Sequence, residues 1–584
     1  MNRKNLTAAV LAGLAGAAGI ASTAQAVNLN PDGLGQVLLY PYYTVNGGNA
    51  TLMSVVNTTG QGKAVKVRYL EGVMSVEVLD FNLYMSEYDV WTAAIVADDD
   101  GYATLFTEDT SCTVPQIPAE GVSFRNLKYA GDPDDLVYTD GDGGDDSLDR
   151  ATEGHIEIIE MASICTMDAM ADEGLQCETD LEGAVEYYTT HVTDPDGEMG
   201  DEYGLIAAVL EIDADDVEFA YGSPRSCAPH QLLWTENAGP VLGSIVGLDT
   251  LTWRDAEGGD SEFAMADPSG GLFGGGSVVN ANKGSMYAYD ATAIEGIRGI
   301  IEHTDSKNPL PSLGTGQEFE AWVYDAANAE MVGLLFAEEI DAVSAIFMHD
   351  SMMNEYTVED LGGGVNARTE WVVTFPTKSF YVDSASAAMP FTQPFTDNWD
   401  SGFNDGACEI IKAGPGERGI WNREEETIFV PTQPPPGFVP PGFSPSPSNP
   451  PPDAPPIPTT VLCYETSVVR FGENPAAEGF LYGGPTEILG STRPIVTNVE
   501  PIGENGWAQV DLSDGSDPNE AEAVQRELCD ETGYCVIGLP IVGFAAMEFQ
   551  NGLAPTSDGG LATQHYGGIF GHKATRMVSL AGID

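Results

Sequence analysis

Basic residues are scarce in this chain. Its 584 residues include 23 lysines and arginines against 90 aspartates and glutamates, which gives a formal net charge of −67. A surface with this balance repels nucleic acids and anionic lipids, because both are bound through clusters of positive charge. We therefore exclude nucleic acids and anionic membrane surfaces as partners. Two explanations of the acidic surplus remain: a solvated surface that keeps the protein soluble, or divalent-cation binding at a few acidic loops.

The chain also lacks the short motifs of common hydrolases and metalloenzymes. It contains no HExxH sequence and no GxSxG elbow, since Val279 in GGGSVVN replaces the second glycine of that elbow. His349, Asp350 and Ser351 are the residue types of a catalytic triad, but adjacent residues in a strand or helix point in different directions. The sequence therefore predicts a protein that is not an enzyme.

Apolar runs of membrane-spanning length are absent. One apolar segment, at residues 6–20, follows the basic start MNRK and precedes the small-residue sequence AQA at 24–26. This arrangement is typical of a secretory signal peptide, and the segment is shorter than the ~20 residues that cross a bilayer as a helix. We predict a signal peptide over residues 1–26 and export to the periplasm, the cell surface or the extracellular space. The mature chain, which begins near Val27, is not expected to insert into a membrane.

Eight cysteines fit the oxidising compartment that export implies, and their even number permits complete pairing. No two are spaced CxxC, and the close pairs have no second pair or histidines nearby to complete a zinc site. The sequence cannot select one connectivity among the many that eight cysteines allow. Proximity favours two pairings, and the other two follow for the cysteines that remain. The predicted disulfides are Cys529–Cys535, Cys165–Cys177, Cys112–Cys227 and Cys408–Cys463.

Hydrophobic alternation in the first mature segment predicts antiparallel β-structure. In KAVKVRYLEG, Val65, Val67 and Tyr69 share one face, and Lys66 and Arg68 share the other. Similar segments before and after it are separated by short glycine-containing turns. This pattern is typical of an antiparallel sheet with one solvated face. We predict a mainly β fold of antiparallel β-sandwich domains with irregular acidic loops and a few short helices.

We expect roughly two to four domains, because a chain of this length is too long for one hydrophobic core. An N-terminal β-sandwich is predicted over residues 27–110, followed by an acidic and glycine-rich region of β or α+β structure over 111–365. A C-terminal β-domain is predicted over 366–584, with a disordered proline-rich excursion at 431–458. Whether the middle region is one domain or two stays open.

The proline-rich excursion has the sequence PTQPPPGFVPPGFSPSPSNPPPDAPPIP. Proline lacks a backbone donor and holds the chain extended, so this segment forms neither a helix nor a sheet. Cys408 and Cys463 flank it, with strand-like segments on both sides. We predict that a disulfide joins them and closes the excursion at its base, which stabilises by roughly 4 kcal/mol in the chain-entropy account. The alternative is a plain spacer whose flanking cysteines pair elsewhere.

One acidic loop has the composition of a calcium site. YTDGDGGDDSLD places Asp140, Asp142, Asp145 and Asp146 in a glycine-rich turn. Calcium takes several oxygen ligands and tolerates irregular geometry, so these carboxylates are its predicted ligands. The loop has no DxDxDG core and no glutamate at the twelfth position, and an acidic loop without an ion is the alternative. No other cofactor is predicted.

Two of the seven histidines are close in sequence, in QHYGGIFGHK. A turn at Gly567-Gly568 would bring His565 towards His572, and nearby carboxylates would then complete a metal site. Histidines in such segments more often pack against neighbours or cap a turn.

Four segments have distinctive sequences: GQVLLYPYYTV, VLDFNLYMSEYDVWTAAI, TEWVVTFPTK and YGGIFGHK. They resemble an uncharacterised family of exported proteins from Gram-negative bacteria. Since the segments are spread along most of the mature chain, the resemblance implies export and a similar full-length architecture. It implies no catalytic residue, because no activity is known for that family.

These observations favour a non-enzymatic surface or extracellular protein with a structural or adhesive role. Its partners would be surface or extracellular proteins, glycans or further copies of itself. The alternative is a periplasmic or secreted module that binds a carbohydrate or another small ligand, with calcium as an aid. An enzyme whose carboxylates come from distant parts of the chain is a third hypothesis, which spacing in the sequence cannot test.

Overall fold

The structure is a computed structural model. It describes residues 26–85, 87–115, 117–131, 141–142, 144–164, 265–266, 268–297, 310–316, 319–325, 329–358, 365–383, 386–392, 409–411, 419–423, 460–462, 464–472, 485–499, 504–516, 523–555 and 561–580. The predicted signal peptide up to residue 25 and the predicted proline-rich excursion lie outside the described residues.

The described residues form mainly strands. The strands up to residue 164 are β1 (Asn28–Leu29), β2 (Val37–Thr44), β3 (Ala50–Asn57), β4 (Gly62–Glu71), β5 (Glu77–Met85), β6 (Val90–Ala97), β7 (Ala103–Phe106), β8 (Cys112–Val114), β9 (Val122–Ser123) and β10 (Glu153–Ile164). Those between residues 265 and 374 are β11 (Met265–Ala266), β12 (Leu272–Asn280), β13 (Ser285–Asp290), β14 (Thr292–Glu295), β15 (Glu320–Asp325), β16 (Glu330–Leu335), β17 (Met348–His349), β18 (Ser351–Thr357) and β19 (Val365–Thr374).

The remaining strands lie in the C-terminal part of the chain. They are β20 (Glu409–Ile411), β21 (Ile420–Asn422), β22 (Thr460–Leu462), β23 (Thr466–Gly472), β24 (Ile495–Asn498), β25 (Asn505–Asp511), β26 (Asp514–Ser516), β27 (Ala523–Gln525), β28 (Glu527–Cys529), β29 (Tyr534–Ile537), β30 (Leu539–Pro540), β31 (Val542–Pro555), β32 (Leu561–Gly571), β33 (Lys573–Thr575) and β34 (Met577–Leu580). The α-helices are α1 (Leu127–Ala130) and α2 (Glu339–Phe347), and short 3₁₀ helices span Asn46–Gly48, Leu148–Thr152 and Lys378–Phe380.

The sheets are antiparallel apart from one parallel strand pair among the described residues, β23 with β24. An eight-stranded sheet has the order β1-β14-β2-β10-β4-β5-β8, with β11 added to β10, and a six-stranded sheet has the order β13-β12-β3-β6-β7-β9. Sheets of five (β24-β23-β19-β31-β32), four (β21-β25-β18-β33) and three strands (β28-β29-β34) follow. The small sheets are arranged like a five-blade β-propeller. The prediction of a mainly β, antiparallel fold with few helices is confirmed.

The two-sheet sandwich predicted for residues 27–110 is not confirmed. Both large sheets draw strands from later in the chain, since β10 lies between β2 and β4, and β12 lies between β3 and β13. Alternation along a strand shows which residues share a face, but it does not show which distant strand will be the neighbour. The prediction found the strands and missed their long-range partners.

Side chains from the two large sheets share one hydrophobic core. The rings of Phe81 in β5 and Trp91 in β6 meet edge to face, with their centroids 5.7 Å apart. The Tyr69 hydroxyl in β4 donates to the sulfur of Met53 in β3 over 3.0 Å. Buried aromatic side chains contribute large apolar areas, so this core is a major source of stability.

The second face of the eight-stranded sheet is buried, whereas the sequence predicted a solvated face. Lys66 and Arg68 of β4 have exposed fractions of 0% and 8%. Lys66 Nζ lies 2.5 Å from Asp80 Oδ2, and Arg68 Nε lies 2.9 Å from Glu77 Oε2. Burial and the charge of Glu77 raise the pKa of Asp80 to about 6, while Lys66 opposes the rise. The alternation was correct, but the polar residues form ion pairs inside the protein.

One predicted disulfide lies within the described residues. Cys529 and Cys535 face each other in the β28–β29 hairpin, with an S–S distance of 2.03 Å, which confirms that pairing. Cys112 begins β8. The other cysteines lie outside the described residues: Cys165, Cys177, Cys227, Cys408 and Cys463. The three remaining pairings stay predictions.

Helix α2 packs against β15 and belongs to a second core cluster, which also contains Val37 and Leu39 of β2. All its residues from 342 to 347 are buried, and Glu339 and Asp341 in its first turn suit the positive end of the helix dipole. Within the described part of the chain, no helix combines the length and the apolar character that crossing a membrane requires.

Candidate functional site

The outward side of the six-stranded sheet forms a regular surface. In β3, β6, β12 and β13, buried residues alternate with residues that face outward. The outward residues line up across the strands in four rows. The rows are Phe273–Val56–Val90, Asp290–Gly275–Ser54–Thr92, Ala288–Ser277–Leu52–Ala94 and Met286–Val279–Ala50. We call these fourteen positions the outer face.

The outer face carries one charged residue, Asp290. This is unusual for a surface of a chain with 90 acidic residues. Four apolar side chains are well exposed: Leu52 (44%), Val90 (46%), Phe273 (42%) and Met286 (57%). The strand spacing of ~4.8 Å and the rise of ~3.4 Å per residue make the grid roughly 15 Å by 20 Å. This weakly charged surface, with its four exposed apolar side chains, is therefore a candidate interaction site.

A cavity of about 240 Å³ lies where β1 and β14 meet β15. Its lining residues are Ala26, Asn28, Gln36, Ser269, Gly270, Glu295, Gly296 and Trp322. The Gln36 amide is held at both ends, since Nε2 donates to the Pro268 carbonyl over 2.7 Å and Oε1 accepts from the Ile297 N–H over 2.9 Å. The Trp322 indole N–H donates to Glu320 Oε1 over 3.1 Å. These bonds fix the positions of Gln36 and Trp322 in the wall.

A buried ion pair lies against one wall of this cavity. Lys63 Nζ is 2.7 Å from Glu160 Oε1, and both side chains are fully buried. Lys63 Nζ is also 2.5 Å from Ser269 Oγ. The Glu160 carboxylate accepts the backbone N–H groups of Ser269 and Gly270 over 3.1 and 2.9 Å. The pair and its hydrogen bonds therefore hold the Ser269–Gly270 segment in place.

Glu370 and Glu465 are two further carboxyl groups with no exposed surface. Burial raises the pKa of Glu370 to about 7, although the N–H groups of Ile488 and Leu489 and the Thr486 hydroxyl, each within 2.8 Å, lower it. Burial also raises the pKa of Glu465 well above its usual range, against the opposing charge of Lys378. Perturbed carboxyl groups are typical of active sites, but Glu370 is enclosed by the loop that it anchors, so we assign it a structural role.

A partly exposed aromatic pair lies on the four-stranded sheet. Trp421 of β21 and Trp507 of β25 are directly opposite each other, and their rings stack with centroids 4.1 Å apart and an interplanar angle of 13°. Trp507 has an exposed fraction of 39%, and the exposed Glu355 of β18 is its partner on the other side. The pair therefore presents aromatic surface next to a carboxylate.

The predicted calcium ligands that the structure describes have different partners. Asp142 Oδ2 accepts from Arg150 Nη2 over 2.6 Å, and Asp145 accepts from the N–H and hydroxyl of Ser147, both over 2.9 Å. Asp146 is exposed, and Asp140 lies outside the described residues. Asp142 thus already has a cationic partner. Calcium binding stays a prediction, and comparing the melting temperature in calcium with that in a chelator tests it.

The predicted convergence of the two histidines does not occur. β32 passes straight through Gly567-Gly568, which pair with β31. His565 Nδ1 lies 3.2 Å from Glu548 Oε1, whereas His572 Nε2 contacts the Val372 carbonyl at 2.9 Å. The hypothesis of a metal site formed by a turn between them is therefore wrong.

The triad-like residues His349, Asp350 and Ser351 all contact Thr575 of β33. They therefore serve strand pairing and do not converge on one another. Among the described residues, one group has the spacing of metal ligands: Glu527, Cys529 and Cys535. Its two sulfurs form the hairpin disulfide and are not available as thiolate ligands.

No protein-family model, curated protein or solved structure matches this chain. The resemblance to a family of exported proteins therefore stays a prediction.

Sequence reasoning missed the outer face and the cavity. The alternation of β3 and β12 contained part of the signal, because the positions between the buried residues are apolar or small where polar residues are usual. No local pattern indicates the cavity, since Gln36, Ser269, Glu295 and Trp322 come from four separate parts of the chain.

Proposed function

We propose that the protein is a non-enzymatic, exported structural protein of the cell surface or extracellular space, and that its copies associate through the outer face. The observation that carries this proposal is the single charged residue, Asp290, among the fourteen outward positions. Two copies of a chain with a net charge of −67 repel each other over most approaches. The outer face lets two copies meet with few opposing carboxylates, and burying its apolar side chains favours association.

The absence of catalytic motifs in the sequence supports a role without chemistry. The buried lysine and arginine side chains of β4 that we describe are paired within the fold, as Lys63 is with Glu160 and Arg68 is with Glu77. The hairpin disulfide suits an oxidising location outside the cytoplasm. These features support a stable extracellular protein with a structural role.

Sedimentation velocity on the mature chain, from Val27 to the C-terminus, tests the proposal. We expect concentration-dependent association that weakens at least about tenfold in Met286→Glu, because each copy then buries a new carboxylate at the interface. Met331→Glu is the matched control, since Met331 is similarly exposed (52%, against 57% for Met286) but lies on β16. A protein that stays monomeric at all concentrations would contradict the proposal. This would result if another segment of the same chain covered the outer face. Equal effects of the two substitutions would contradict the proposal as well.

A second candidate function is carbohydrate binding at the Trp421–Trp507 pair. Sugar rings pack their C–H groups on indole faces, and a carboxylate such as Glu355 accepts hydrogen bonds from hydroxyl groups. A glycan array probed with the mature chain should give signals that Trp507→Ala removes. Phe570→Ala is the control, because Phe570 is an exposed aromatic residue (50%) on another sheet. Signals that are absent, or that survive Trp507→Ala, would contradict this assignment.

A further inference from the structure

The peptide bond at the predicted signal-peptide junction is buried in the cavity wall. Ala26 and Val27 have exposed fractions of 3% and 1%. The Val27 N–H donates to the Glu320 carbonyl over 2.8 Å, and the Val27 carbonyl accepts from the Trp322 N–H over 2.9 Å. Gly296 lies against the bond so closely that a Cβ there would overlap the Ala26 carbonyl oxygen. A peptidase cannot reach a bond enclosed in this way, so cleavage must precede folding of this region.

Cleavage changes the chemistry of the cavity. A signal peptidase adds water across the Ala26–Val27 bond, so that Ala26 leaves with a carboxylate and Val27 keeps an amine, which takes up a proton. The cavity then loses Ala26 from its wall. The Asn28 side-chain amide, which donates to the Ala26 carbonyl over 3.0 Å, loses that acceptor.

One acidic residue of the cavity wall, Glu295, is next in sequence to Gly296, whose backbone lies against Val27 N. Glu295 is directly opposite Asn28 in the β1–β14 ladder, so the two side chains are on the same face of the sheet. Both residues line the cavity. The neighbouring acidic residues have other partners, since Glu160 binds Lys63 and Glu320 Oε1 accepts from the Trp322 indole. Glu295 is thus placed to receive an ammonium group at Val27.

We propose that removal of residues 1–26 completes this site: the α-ammonium of Val27 keeps its hydrogen bond to the Glu320 carbonyl and pairs with Glu295 inside the cavity. The mature N-terminus is then a structural cation that ties β1 to β14 and β15. The proposal rests on the predicted cleavage site and is independent of the self-association proposed above. The exported form then contains an ion pair, between Val27 and Glu295, that the precursor lacks.

Competitive acylation of the N-terminal amine, quantified by mass spectrometry, tests this pairing. The native protein, purified after export, is compared with a form that retains residues 23–26 and therefore carries its α-amine on Thr23, four residues before Val27. We expect the Val27 amine to react about tenfold more slowly, because pairing keeps it protonated and shielded. Both forms should react equally fast once unfolded in denaturant.

Glu295→Gln in the native-length protein is the second variant, and it does not depend on folding of the extended form. It should raise the acylation rate of Val27 several-fold, whereas Glu330→Gln, at an exposed position of β16, should leave it unchanged. An exported protein whose first residue is not Val27 would overturn the proposal. So would a Val27 amine that reacts as fast as that of the extended form, or one that Glu295→Gln and Glu330→Gln affect equally.

Discussion

Glu409 and Leu462 are directly opposite each other in the two-stranded β20–β22 ladder. Cys408 precedes the first in the sequence, and Cys463 follows the second. The two cysteines lie outside the described residues, and each is next in sequence to one member of this terminal strand pair. The ladder therefore supports the predicted disulfide at the base of the proline-rich segment.

Peptide mapping without reduction checks this pairing. We expect a Cys408 peptide linked to a Cys463 peptide. Residues directly opposite in an antiparallel ladder have Cβ atoms about 4.5–5.5 Å apart, which is close to the separation that a disulfide bridges. A Cys408 peptide linked to any other cysteine would show that the segment is a spacer without a closed base.

Glu370 predicts a pH dependence of stability. Burial raises its pKa from 4.5 to about 7, so the folded protein binds a proton that the unfolded chain releases between these values. Stability from this group is therefore present below about pH 4.5 and is lost as the pH rises towards 7, by roughly 3 kcal/mol at 1.4 kcal/mol per pKa unit. Urea unfolding at pH 5 and pH 8 should show a decline in the native protein that is smaller in Glu370→Gln.

The exposed Glu355→Gln is the control for that experiment, because it removes a carboxylate of ordinary exposure. It should keep the pH dependence of the native protein. A decline of the same size in Glu370→Gln would show that the general repulsion among acidic residues, and not Glu370, causes the effect.

The Lys63–Glu160 pair predicts strongly non-additive substitutions. Lys63→Met leaves Glu160 buried without its cation and should destabilise by about 3–5 kcal/mol. The double variant Lys63→Met/Glu160→Gln removes both charges and should recover part of this loss. Urea unfolding of the two single variants and the double variant measures the coupling. Additive losses would mean that the two side chains do not interact.

Gly490 lies next to the loop residues whose backbone N–H groups bind Glu370. We expect a side chain at this position to destabilise the protein. The φ of Gly490 is +73°, and a Cβ there would overlap the Asn46 carbonyl oxygen. Gly33 has a similar φ of +77° but open space around it. Gly33→Ala should cost about 1 kcal/mol from the backbone conformation, and Gly490→Ala should cost clearly more, because the backbone of Asn46 must also move. Equal losses in thermal unfolding would contradict the close approach.

The sequence predicted strands well and their neighbours poorly. Alternation correctly placed Val65, Val67 and Tyr69 on a core-facing side, because side-chain direction in a strand is a local property. It could not show that Arg68 meets Glu157, because these residues are 89 positions apart and the contact exists only once β10 is inserted. Polar residues on such a strand are therefore not evidence of a solvated face.

The candidate surfaces were still harder to predict. The outer face requires the register of four strands from two distant segments, β3 and β6 with β12 and β13. The pairing of Trp421 with Trp507 likewise depends on residues 86 positions apart. By contrast, Cys529 and Cys535 are close enough in sequence for a single hairpin to join them, and that prediction succeeded.

The position of β10 between β2 and β4 has a consequence for the newly made chain. The ribosome releases β2 and β4 first, and each then has an open edge until residues 153–164 emerge to fill the gap. During that interval the two strands expose unpaired backbone groups that can join to other nascent chains. The order of synthesis thus sets the earliest point at which this sheet can close around β10.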